Sequence, residues 1–180
     1  MVRVWEANGG PRYYTDPEED GVLTPYFGAS PPSSTITATL EGGFRRTFRV
    51  GGWEEYLSDG RLLKTADRTG RVTSLTYESL GLTSRLAEIT SPEGRRLKLE
   101  YDYTGLKRLV GAEGLIAEYS YIHVGGAGLR PLLSEVRYAD GTGYRFTYNT
   151  AASQLLTVSD LAGVVLTAIL TTGRRRPPAS

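Results

Sequence analysis

The chain of 180 residues is 39% hydrophobic and carries 21 basic against 20 acidic side chains, for a net charge of +1. That balance gives no field to attract nucleic acid or an anionic membrane surface, and the hydrophobic content excludes a disordered tail. With no cysteine there is no disulfide framework, no thiolate zinc site and no thiol nucleophile.

Residues 1–34 contain "GGP", "DPEEDG" and "GASPPSS", whose Pro, Gly and Ser interrupt every periodic pattern, and they read as an irregular lead-in. The segment from 35 reads as strands: Ile36, Ala38 and Leu40, then Phe44, Phe48 and Val50, alternate around a Gly-Gly turn. It is taken as one or two worn copies of the unit that follows. Trp53, Tyr56 and Leu57 open the regular array across an "SDG" turn.

From there a spacing recurs: Leu, then Gly eight residues later, then Tyr seven after that. Leu62, Gly70 and Tyr77 fit it, as do Leu86, Gly94 and Tyr101; Leu106, Gly114 and Tyr121; and Leu133, Gly141 and Tyr148. A fifth copy, Leu155 and Gly163, ends in Leu170. Tyrosine fills about one position in fifteen, so four hits in five would arise by chance on the order of once in ten thousand. The repeat is therefore real.

Counting three, five and seven residues on from each Gly gives Thr73, Leu75, Tyr77; Leu97, Leu99, Tyr101; Ala117, Tyr119, Tyr121; Tyr144, Phe146, Tyr148; and Leu166, Ala168, Leu170. Side chains alternate across a strand, so each set shares one face, and the pattern predicts that this face is packed. The opposite face is polar, except for Val72, Ile116, Val165 and Ile169, which suggest that parts of it are covered too. Each Gly stands at a turn, and shorter strands precede it at Leu86 and Ile89, Leu133 and Val136, and Leu155 and Val158. One unit is thus a β-hairpin of about twenty residues, and "IHVGGAGLRPL" is an insertion between hairpins. Residues 35–170 form the repeat region, and 171–180, "TTGRRRPPAS", a flexible basic tail.

"DGRLLKTADRTGRVTSLTYE", "RLAEITSPEGRRLKLEYD" and "GYRFTYN" resemble the YD repeats of the rearrangement-hot-spot (RHS) family, with Tyr101-Asp102 and Tyr148-Asn149 in register and Tyr77-Glu78 and Tyr121-Ile122 departing. The resemblance implies an all-β fold of antiparallel hairpins in a curved, spiralling open sheet, part of a shell of the kind that encloses bacterial polymorphic toxins. It implies a non-catalytic scaffold in a secreted or cell-surface setting. Its partner would be another polypeptide: an enclosed passenger, neighbouring repeats, or a further copy joined through the sheet edges. Glycan binding by the exposed aromatic column is the alternative. No toxin-type domain or "DPxG" cleavage core is read, since Asp59-Gly60 and Asp140-Gly141 suit hairpin turns, so passenger and cutting activity are not carried over.

Other chemistry reads as bland. His123 is the single histidine and lies in a link, which makes it a surface loop residue without a metal or triad partner. Asp67, Asp140 and Asp160 precede turn glycines and read as turn formers rather than calcium ligands. "GGAG" at 125–128 lacks the Lys-Ser/Thr of a phosphate cradle. Trp5 and Trp53 stand outside the column as candidates for a small binding patch. No cofactor is implied. The longest apolar run, 161–170, is about half a bilayer span, so no membrane insertion is expected.

Overall fold

The computed structural model describes residues 1–5, 11–26, 33–81, 83–123, 131–149 and 154–168. The fold is all-β and antiparallel, and it divides into two compact units, Met1–Arg96 and Leu97–Ser180. The first contains β1 (Val2–Trp5), β2 (Pro11–Thr15), β3 (Val22–Pro25), β4 (Ser34–Ala38), β5 (Phe44–Phe48), β6 (Trp53–Tyr56), β7 (Leu62–Ala66), β8 (Val72–Leu80) and β9 (Thr83–Thr90). The second contains β10 (Arg96–Tyr101), β11 (Leu106–Gly111), β12 (Gly114–Ile122), β13 (Leu132–Tyr138), β14 (Gly143–Asn149), β15 (Gln154–Asp160) and β16 (Val165–Ala168). Within each unit every strand pairs with its neighbours in the chain, which gives an open sheet of consecutive hairpins. The predicted open sheet is what forms.

The turns explain the glycines. After Thr39, Phe48, Leu57, Asp67, Ser91, Tyr138 and Asp160 the same device recurs seven times: the N–H three residues on donates to that residue's carbonyl, and its own N–H donates to the carbonyl four residues on. The residue three on is always a glycine with φ between 80° and 95°. This is a type I turn followed by a left-handed residue, the bulged hairpin in which glycine is favoured because it lacks a Cβ. Gly114 differs: it pairs with Gly111 across a two-residue loop.

Asp59-Gly60 and Asp140-Gly141 lie in such hairpin turns, as read from sequence. The Asp67 carboxylate accepts from the N–H groups of Thr69 at 2.8 Å and Arg71 at 3.0 Å, and that of Asp140 accepts from the Thr142 N–H at 2.9 Å. The Thr69 and Thr142 hydroxyls, which donate to the same carboxylates, and after them these backbone bonds hold both carboxyls below the usual carboxylate range.

Three expectations are corrected. Residues 1–34 are not wholly irregular, since β1, β2 and β3 lie there, with β4 starting at Ser34. Strands of four or five residues are too short to show a period, and Pro11 is tolerated as the first residue of its strand. Leu40 and Val50 sit on turns and are exposed rather than continuing the apolar alternation of β4 and β5. Ile116 and Val165 are exposed as well, so the second face is not covered at those positions. Ile169, Leu170, the "GGAG" link and the basic tail lie outside the described residues.

Gly94 and Gly143 separate two roles of glycine. A Cβ at Gly94, where φ is +80°, would meet nothing within 4 Å, so Gly94→Ala should cost about 1–2 kcal/mol from backbone strain alone. At Gly143 a Cβ would lie 2.0 Å from the carbonyl oxygen of Val136. Gly143→Ala must therefore shift the β13–β14 pairing, and urea denaturation should show the larger loss there.

Candidate functional site

The repeat residues meet in one recurring arrangement. The Tyr77 hydroxyl donates to the carbonyl of Leu62 at 2.7 Å, that of Tyr121 to Leu106 at 2.9 Å, and that of Tyr148 to Leu133 at 2.6 Å, each across fifteen residues. Each bond joins the last and first residues of one copy. Partial burial, the leading cause, raises the three phenol pKa values above their usual range, which keeps the hydroxyls protonated donors. The copy of Leu86, Gly94 and Tyr101 spans the division between the two units.

The backbone partner of each tyrosine is the leucine of the following copy. Tyr56 pairs with Leu62, Tyr77 with Leu86, Tyr101 with Leu106, Tyr121 with Leu133 and Tyr148 with Leu155. Every one of these pairs follows a β-bulge, whose extra residue is the one after the leucine: Leu63, Ala87, Lys107, Ser134 and Leu156. In the second unit the contacts form a continuous spine from Tyr101 through Leu106, Tyr121, Leu133 and Tyr148 to Leu155.

The expected shared face is present in that unit. Leu99 pairs with Leu109 and Leu109 with Ala117; Tyr119 pairs with Val136, Val136 with Tyr144, and Phe146 with Val158. Paired residues point to one side, so these side chains share a face. Ala117 and Val136 are buried, whereas Leu97, Leu99, Tyr101, Tyr119, Tyr121, Phe146 and Tyr148 are half-buried and Tyr144 is exposed. The fifth copy departs further, since Leu166 and Ala168 are exposed. Tyr138 and Tyr144 form an exposed edge-to-face pair with ring centroids 6.2 Å apart. The opposite face carries an ion ladder, with Glu118 bound to Arg108 at 3.2 Å and Glu135 to both Arg137 at 2.9 Å and Arg145 at 3.1 Å.

In the first unit the apolar face holds a buried charge that sequence reasoning missed. Arg46 is only 6% exposed. Its Nε donates to the Ser34 hydroxyl at 3.2 Å, which shares a hydrogen bond with the fully buried Tyr14 hydroxyl at 2.8 Å. The guanidinium lies 3.6 Å from the Glu54 carboxylate and 4.7 Å above the Phe48 ring. Tyr56 donates to the same carboxylate at 2.5 Å, and burial, followed by that bond, pushes its phenol far above the usual range. Through Tyr14 this cluster fixes the β1–β2 hairpin to β4 and β5. A cleft of about 550 Å³ lies between β1 and the sheet, with Val2, Val4, Ile36, Phe44 and Tyr56 in its lining. The "FRRTF" of β5 gave no hint of this, because Arg46 finds its partners on three other strands.

The remaining candidates are placed simply. His123 is exposed just beyond β12. Trp53 is half-buried, with the Arg45 guanidinium 4.3 Å over its ring, so one stacking face is occupied. Trp5 lies on β1. No protein-family model and no curated protein matches the chain.

Three substitutions test the arrangement. Tyr148→Phe keeps the ring and removes one hydrogen bond, so it should cost about 1 kcal/mol in urea denaturation. Tyr121→Phe should match it. Arg46→Ala leaves the Glu54 carboxylate without its cation and opens a gap beside Phe48, while the Tyr14–Ser34 and Tyr56–Glu54 bonds remain, and it should cost about 3 kcal/mol, with partial recovery in Arg46→Ala combined with Glu54→Gln.

Proposed function

We propose that this chain is a non-catalytic YD-repeat scaffold of the RHS type, whose apolar sheet face encloses or presents another polypeptide. The observation that carries this reading is the Tyr-to-Leu bond at fifteen residues' spacing, made by Tyr77, Tyr121 and Tyr148. It gives a structural task to both end residues of the repeat, while the turn glycine is held by its positive φ. None of the three is thereby assigned to chemistry. The half-exposed face of Leu99, Tyr119, Tyr144 and Phe146 supports a partner that is apolar and broad rather than a small polar substrate. On this reading the chain belongs to a toxin-encapsulating system, at a secreted or cell-surface location.

The exposed Tyr138–Tyr144 pair favours a second reading, a carbohydrate-binding repeat module, because exposed aromatic rings stack on sugar faces.

One experiment separates the two. The full chain is co-expressed with the polypeptide encoded beside it in the genome, and the complex is treated with protease. The scaffold reading expects the passenger to be protected, and the protection to fall in Tyr144→Ser with Phe146→Ser while the β-sheet circular dichroism is kept. A passenger cleaved equally fast with and without the chain rejects enclosure. Saturable glycan-array binding that Tyr144→Ser abolishes would put the carbohydrate reading in its place.

A further inference from the structure

The sheet of the first unit ends in β1, which pairs with β2 on one side and with no other strand among the described residues. The edge of a terminal strand presents backbone N–H and C=O groups to whatever lies beside it. Beside β1 lies the cleft of about 550 Å³, and Val2, Arg3 and Val4 all line it. Side chains alternate along a strand, so a regular strand brings three successive residues to one cavity through its edge. On the sheet side the cleft is lined by Ile36, by Phe44 and Tyr56, which stand directly opposite each other in the ladder, and by the turn of Ser58, Asp59 and Gly60.

Four residues of strand occupy about 650 Å³ at the usual spacing of about 4.8 Å between strands and about 10 Å between stacked sheets. At about 550 Å³ the cleft is close to one strand in size. Its interior asks for side chains without charge. Arg3 and Asp59, the charged residues of the lining, are opposite in sign, and the Asp59 carboxylate is held by the Arg61 guanidinium at 2.6 Å. Beneath the cleft Tyr56 donates to Glu54, Arg46 pairs with Glu54 and bonds Ser34, and no buried side-chain N or O among the described residues lacks a partner. The pattern that suits this setting is the one β1 itself carries. Val2 and Val4 are half-buried and line the cleft, while Arg3 between them is exposed.

We propose that an extended segment of a partner polypeptide adds to the outer edge of β1 in this cleft, with apolar side chains at alternate positions packed on Ile36, Phe44 and Tyr56 and polar ones facing solvent. Residues i and i+2 of a strand point the same way, so both apolar side chains enter together. Main-chain hydrogen bonds to β1 supply affinity, and the apolar wall selects the side chains. Assigning the segment to an enclosed or presented polypeptide rests on the scaffold reading, whereas the site itself rests on β1 and its cleft.

The probe is a fluorescein-labelled peptide of alternating valine and threonine, titrated with the full chain and followed by fluorescence anisotropy. Saturable binding is expected, together with slower amide hydrogen exchange over Val2–Trp5 in the bound state. N-methylation of every peptide amide, or gathering the valines of the same composition into one block, should weaken binding about tenfold or more. Ser58→Trp should do the same, because it brings a ring into the cleft from an exposed position on the rim, and it should keep the wild-type circular dichroism. Tyr144→Ser, on the other unit, should bind like wild type. Absence of saturation, unchanged exchange over Val2–Trp5, equal binding of the methylated or block peptide, equal binding by Ser58→Trp, or a loss in Tyr144→Ser overturns the proposal. So does saturable binding of the apolar dye 1-N-phenylnaphthylamine that Ser58→Trp abolishes and the peptide does not compete, which would make the cleft a small-ligand site. Failed passenger protection with peptide binding intact rejects the scaffold reading and leaves the site; the converse rejects the site alone.

Discussion

The hydrogen bond from a tyrosine hydroxyl to a leucine carbonyl fifteen residues earlier is the constraint on which the repeat depends. A sheet of consecutive hairpins has no second layer to fix its register, and a slip of one residue would move every apolar side chain to the wrong side. Here each copy also contains a bulge that invites such a slip. The tyrosine removes the ambiguity because its backbone pairs with the next copy's leucine while its hydroxyl reaches back to its own copy's. Leu106 and Leu133 are each engaged from both directions, by the tyrosine before and the tyrosine after. Each bond contributes about 1 kcal/mol, small beside the ordering cost, but it discriminates between registers that burial alone would leave close in energy.

The two faces divide the remaining work. Glu118 with Arg108, and Glu135 with Arg145, set opposite charges across neighbouring strands, and Arg137 joins Glu135 along β13. Exposed pairs of this kind add little stability, about 0–1 kcal/mol each, yet like charges opposite one another would be penalised, so the cross-strand pairs reinforce the same register. The apolar face is less complete. Its buried hydrophobic residues among those described are Tyr14, Ile36, Ala117 and Val136, and two of the four lie where the β1–β2 hairpin packs on the sheet, while buried Ala66 pairs with Val72 on the other face. In the second unit, by contrast, aromatic rings such as Tyr138 and Tyr144 face outward.

Much of this was legible in the sequence because it is periodic. Leucine, glycine and tyrosine fall at fixed offsets, and each offset has a local cause: a left-handed turn residue, a strand end, a hydroxyl within reach. What escaped was non-local or too short. The four residues of β1 carry no period, and Arg46 looks like any charged residue of a strand until Tyr14, Ser34 and Glu54 are brought to it from distant segments. Leu40 and Val50 misled in the other direction, since alternation ran on past the true strand ends into turns. The bulges left only an indirect trace, the leucine to tyrosine interval of fifteen that a plain ladder would not need.

The spine of alternating Tyr and Leu in the second unit has an evolutionary consequence. Because any tyrosine of the series presents the same backbone and hydroxyl to any leucine, whole hairpins are interchangeable parts. A duplication or deletion cut at the residue after a tyrosine would lengthen or shorten the array by one hairpin and leave every surviving junction intact. Recombination between copies is then structurally silent at the joints, so the residues facing solvent are free to diversify while the frame that carries them does not change.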